Sequence, residues 1–184
     1  MPSAIDAAVA HGFAIEVDVQ LSADGEAMVH HDEALGRLNI GSERLADRTA
    51  EQLRQVVFHG TADRMMTLSE LCERVAGRVP LVVEIKSLFD GDTRLTARTV
   101  AVLSGYSGPA VAMSFDPDLV LALKQIAPAL PRGIVAQRWV LKAPHPSPLA
   151  TAPRRGRPAC TTRPSTTPRT GRPAVAVGQG LGRP

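Results

Sequence analysis

An α/β fold built on a parallel sheet is predicted by two features of the sequence: short β-branched runs alternate with helical periodicities, and Thr or Asp caps precede several helical runs. Strands separated by helices at this spacing form βαβ units, whose sheet is either open or closed into a barrel. The pattern holds to about Arg138 and then stops.

Taken in order, Ala4, Ile5, Ala8 and Val9 recur at helical spacing and Gly12 ends the run, so a helix comes first. Residues 13–21 alternate as a strand, close on the Asp24-Gly25 turn, and lead into a second strand over 27–31. Residues 49–57 begin with a Thr cap, and 67–76 open on Thr-Leu-Ser-Glu, a capping box; both read as helices. A strand over 80–86, a helix over 93–103, a strand over 109–115 and a helix over 116–126 started by Asp116-Pro117 follow. Residues 133–136 give a fifth strand. Because the count opens on a helix and reaches five strands, the expectation is an incomplete set for an eight-stranded barrel.

Charge divides the chain. Residues 1–138 hold 13 basic and all 18 acidic residues, a balance of −5, whereas 139–184 hold eight basic residues and no acidic one. Nine of those last 46 residues are proline and no apolar period runs through them, so 139–184 are expected to be a disordered tail beside a domain over 1–138. Its basic residues are scattered among prolines without stacking aromatics, which argues against a nucleic-acid partner. No apolar run approaches the roughly 18 residues of a membrane span, and the first ten residues lack a basic signal-peptide start, so a cytoplasmic protein is expected. Cys72 and Cys160 stand apart with no metal-ligand spacing and are read as bystanders.

Ionisable residues gather on the extended runs. Glu16 and Asp18 lie two apart and share one strand face, while Ile15, Val17 and Val19 take the other. Such alternation also describes an exposed polar face, but a parallel sheet is covered on both sides, which leaves a barrel lumen or ligand crevice for carboxylates. His31 and Asp32 end the second strand, where α/β barrels assemble active sites, and His30 falls on the opposite parity, toward a helix layer. Glu84 and Lys86 share a face near the end of the strand over 80–86. Carboxylates with a histidine and a lysine suit metal-assisted chemistry on a phosphate, and hard oxygen donors favour Mg2+ or Ca2+ over zinc.

At residues 13–37, FAIEVDVQLSADGEAMVHHDEALGR, the order Glu-x-Asp, Ser-x-Asp-Gly, His-Asp and a trailing Arg resembles the signature of the glycerophosphodiester phosphodiesterase family. MTLSELCERV, VEIK and AMSFDP resemble its later segments, so the similarity runs over about residues 4–138. The resemblance implies a partial TIM (β/α)8 barrel with about five parallel strands. It also implies hydrolysis of a small-molecule glycerophosphodiester to glycerol 3-phosphate and an alcohol with a divalent cation, Mg2+ or Ca2+. Carried over, Glu16, Asp18 and Glu84 become metal ligands on the second and fourth barrel strands, His31 the catalytic acid or base, and Lys86 a phosphate contact. Family members also carry His-Arg-Gly and Pro-Glu-Asn segments, and this sequence contains neither. The expectation is therefore a chain truncated at both ends and impaired or inactive; an inactive remnant and a different metal-dependent barrel enzyme stay open as alternatives. Ser114 at the matching strand end carries either a role or only a backbone contact.

Overall fold

A computed structural model of the protein describes residues 1–137. The expected tail over 139–184 lies outside the described residues. Eleven elements run α1 (Pro2–Ala10), β1 (Ile15–Leu21), β2 (Ala27–Val29), a 3-10 turn (Leu45–Asp47), α2 (Ala50–Leu53), α3 (Leu68–Val75), β3 (Leu81–Ile85), α4 (Arg94–Leu103), β4 (Ala110–Ser114), α5 (Pro117–Ile126) and β5 (Arg132–Ile134). The strands form one sheet in the order β2-β1-β3-β4-β5.

The α/β architecture and the five strands are as expected, with one correction to strand direction. β1, β3, β4 and β5 are parallel, but β2 runs antiparallel to β1, pairing Val19 with Val29 and Leu21 with Ala27. The connection is too short for a parallel crossover, which needs a dozen or more residues. Gly25, at φ +84°, completes the reversal, and the Ser22 hydroxyl donates to Asp24 at 2.6 Å and accepts from the Glu26 amide at 2.8 Å. Because β2 lies on the outer side of β1, β3 is the direct parallel neighbour of β1. The Glu84 strand is therefore next to the Glu16 strand, not two along from it.

Helices α3, α4 and α5 cover one face of the sheet. Their Leu68, Leu71, Val75, Leu95, Leu103, Leu119 and Leu123 form a core with Ile15, Val17, Val19, Leu81, Val83, Ile85 and Ala112 from the strands. Leu68, Leu71, Cys72 and Val75 show how α3 docks, since the spacing of three, four and seven residues puts all four on one stripe. Both halves of the capping box foreseen at its start are present: Thr67 Oγ1 accepts from the Glu70 amide at 3.2 Å, and Glu70 accepts from the Thr67 amide at 2.8 Å. Burial pushes the Cys72 thiol up to about 11, which leaves it protonated and inert at neutral pH. Leu71 is fully buried, so Leu71→Ala is expected to lower unfolding stability by about 2–5 kcal/mol in urea titration, with fold retained.

The helix expected over 49–57 is only one turn, Ala50–Leu53. Its Thr49–Gln52 capping box is present, but after Leu53 the chain turns to pair across itself: the Met65 amide donates to the Val56 carbonyl at 3.0 Å, and Val57 bridges Arg64. Adjacent β-branched residues at 56 and 57 favour that extended pairing over helix. The excursion covers a second cluster of Met28, Leu35, Leu45, Leu53, Phe58 and Met65. Among the described residues no helix is long and apolar enough to cross a membrane.

Candidate active site

The face of the sheet away from those helices carries the ionisable residues. Asp18 pairs directly with Glu84 across β1 and β3, and Glu16 stands beside Val82, so strand parity places the three carboxylates side by side. Their nearest oxygens all lie within 4.8 Å of one another. Lys86, one residue beyond β3, donates from Nζ to Asp18 at 2.6 Å and also to Glu84. Burial opposes the charge on Lys86, but the hydrogen bonds it donates to Asp18 and Glu84, together with their negative charges, outweigh it and raise the ammonium pKa. Glu16 is raised above its ordinary 4.5, first by desolvation and then by the neighbouring charges of Asp18 and Glu84.

These residues fit a divalent cation. Three converging carboxylates are hard oxygen donors, and with Lys86 the group sums to −2, the charge that one such ion neutralises. Glu84 is 7% exposed and Glu16 is open to solvent, so the cluster is anchored on one side and reachable on the other.

His31 reaches the same region by an unexpected route. Since β2 is antiparallel, its end points back along β1, and the His30 amide donates to the Asp18 carbonyl at 3.0 Å. The hairpin return, not a shared strand end, brings His31 to a cleft of about 350 Å3 lined by Glu16, Asp18, His30, Arg37, Phe58 and His59 among others. The His31 side chain is 58% exposed, and its Nδ1 lies 2.8 Å from Asp32 Oδ1. Glu16, Asp18, Glu84 and Lys86 are thus drawn together, and His31 shares the cleft of the first two.

His30 departs from its expected place: it is buried with its ring near Phe58, centroids 6.3 Å apart, and Phe58 belongs to the connection between β2 and α3. Parity carried it to the side of Met28, which belongs to that second cluster. Desolvation lowers its pKa. Sequence reasoning assigned no role to Arg37, although its place five residues after Asp32 was visible; here it clamps that carboxylate. Ser114 serves the backbone. Fully buried, it donates to the Ile85 carbonyl at 2.8 Å and accepts from the Asp116 amide at 3.1 Å, latching β4 to the end of β3. Ser114→Ala is expected to cost about 1–3 kcal/mol in chemical denaturation by stripping both groups of this partner. A larger groove of about 770 Å3 lies elsewhere, lined by Asp6, Arg54, Glu70 and Arg74 among others. Those charges are already paired, Arg74 with Asp6 and Arg54 with Glu70, each at 2.7 Å, and none of the three clustered carboxylates reaches it.

Residues 2–151 match the Glycerophosphoryl diester phosphodiesterase family. This chain belongs to that family. A glycerophosphodiester phosphodiesterase of Caldanaerobacter subterraneus is 28% identical over 141 residues, covering 71% of this chain and 58% of the relative. Among solved structures, the glycerophosphodiester phosphodiesterase of Agrobacterium tumefaciens superposes with a TM-score of 0.62 at 26% identity, covering 71% of this chain and 57% of that one. A phosphodiesterase of Oleispira antarctica, solved with its product sn-glycerol-3-phosphate, superposes at 0.67 and 24% identity over 72% of this chain and 58% of that one, a likeness of fold. The chain thus spans somewhat more than half the length of these relatives, and the five strands of the described residues form part of a barrel.

Proposed function

We infer that the cluster is the metal site of a glycerophosphodiester hydrolase, with Glu16, Asp18 and Glu84 as ligands to Mg2+ or Ca2+. The observation that carries this reading is the convergence of those three carboxylates, within 4.8 Å, on the open face of the sheet. When bound, a divalent ion there supplies Lewis acidity to a phosphoryl oxygen and orients the diester. Lys86 holds Asp18 and Glu84 in place and adds a positive charge for a phosphate oxygen. His31, exposed in the cleft, serves one of the two proton transfers of hydrolysis, as base toward the attacking water or as acid toward the leaving alkoxide. The products of this reading are glycerol 3-phosphate and an alcohol, with atoms balanced by one water. The 184 residues by themselves are read as impaired, because the sequence offers no His-Arg-Gly.

The test is to place residues 13–137 of this chain in the corresponding part of the Caldanaerobacter relative's barrel and assay glycerophosphocholine hydrolysis with Mg2+ or Ca2+. Turnover lost in Glu16→Gln and Glu84→Gln supports the reading; turnover indifferent to both removes it.

A further inference from the structure

His31 has two ring nitrogens, and which one carries the proton decides what the residue can do. Its Nδ1 faces Asp32 Oδ1 at 2.8 Å. An ionised carboxylate can only accept, so Nδ1 must be the donor, and in the neutral ring Nε2 is then a bare lone pair. A free imidazole favours the opposite arrangement, with the proton on Nε2. The protein therefore has to keep Asp32 charged and in place.

Arg37 occupies the position that does this. Its Nε donates to Asp32 Oδ2 at 2.6 Å and its Nη2 to Oδ1 at 2.8 Å, a two-pronged grip on both oxygens. Oδ1 is shared between Arg37 and His31, so the guanidinium fixes the atom that orients the ring. The bond to Arg37 first, and that to His31 second, hold the Asp32 carboxyl well below the usual carboxylate range. Backbone geometry supports the arrangement. Gly36, at φ +120°, turns the chain so that Arg37 folds back over Asp32, and a side chain there would press on the Gly41 carbonyl at 3.1 Å.

We propose that Arg37 is a positioning residue, acting through Asp32 to hold His31 with its proton on Nδ1 and its Nε2 free to accept a proton in the cleft. This rests on the reading of His31 as the proton-transfer group, yet the tautomer can be observed without any turnover. Because the Arg37 side chain is 61% exposed, its replacement removes the clamp without opening the core.

Long-range 15N–1H correlation spectra of the full chain at about pH 8, above the ordinary histidine range, report which ring nitrogen is protonated. The expected result is a His31 ring protonated on Nδ1 in the parent chain. In Arg37→Gln that population falls severalfold in favour of Nε2–H, while His11 and His59 signals stay in place. Arg37→Lys, with one charged group for two oxygens, retains part of the parent population. A parent His31 protonated on Nε2, or an Arg37→Gln variant with an unchanged Nδ1–H population, overturns the proposal. Should the glutamine variant fail to fold, an undiminished Nδ1–H population in Arg37→Lys does the same. In the barrel transplant, Arg37→Gln is expected to lower kcat about tenfold to hundredfold with KM nearly unchanged, the scale typical of groups that orient a functional imidazole. Absence of hydrolysis in the parent transplant counts against the proposed reaction and leaves the tautomer result standing.

Discussion

Glu84→Gln is expected to reduce divalent-cation affinity by at least about a hundredfold, roughly 2.8 kcal/mol, in calorimetric titrations of the full chain with Mg2+ and Ca2+. Glu84 is the most buried member of the cluster, and its backbone is set by pairing with Asp18 on β1 and Met113 on β4, so its carboxylate is the least free to be replaced by another. Attraction between a divalent ion and one contacting carboxylate is on the order of 10 kcal/mol at an effective dielectric of about 20, and lost hydration offsets only part of it. The amide keeps the size of the side chain and an oxygen for Lys86, so the sheet should stay intact. Parent chain heated with excess Mg2+ or Ca2+ should melt higher than without it, and the variant should show no such shift. Equal affinities in parent and variant would remove Glu84 from the ligand set.

Much of this fold was legible because local signals agreed with tertiary ones. Thr67 with Glu70, and Asp116 with Pro117, marked helix starts that the structure keeps, with Asp116 accepting from the Asp118 amide at 2.9 Å. The alternation in Glu16-Val17-Asp18 placed carboxylates opposite the apolar core, because two-residue periodicity survives whichever strand lies alongside. Direction and neighbours were less accessible. The Asp24-Gly25 turn announced a hairpin, but its return strand could be counted as a sheet member without asking on which side of β1 it would lie. Only the pairing of Asp18 with Glu84 shows that β3 takes the inner side. The short α2 was overestimated for a related reason: Val56 and Met65 pair across nine residues, a contact that no helical periodicity reveals. Arg37 was visible as part of a motif, but its effect depends on the turn at Gly36 that folds it back on Asp32.

The 184-residue chain alone is expected to show no measurable hydrolysis of glycerophosphocholine, whereas residues 13–137 carried within the Caldanaerobacter relative's barrel should be active. Diester hydrolysis requires a proton to leave the attacking water and another to reach the departing alkoxide, and each transfer by a positioned group typically contributes about a hundredfold to ten-thousandfold. The described cleft places three histidines near the carboxylates, but they are not equivalent. His30 is buried with its Nε2 unpartnered and its pKa lowered by desolvation, whereas His31 is exposed and oriented by Asp32. One oriented imidazole can serve one transfer at a time, and the sequence contains no His-Arg-Gly to supply the second. By the family resemblance, the recipient barrel would supply that partner from its own His-Arg-Gly strand, and its remaining strands would flank the sheet edges at β2 and β5. Within it, His31→Ala should lower kcat by about a hundredfold to ten-thousandfold while leaving Mg2+ affinity nearly unchanged, since His31 is outside the carboxylate trio. Robust turnover by the 184-residue chain, lost in Glu16→Gln or Glu84→Gln, would show instead that His31 and the residues already present suffice for both transfers.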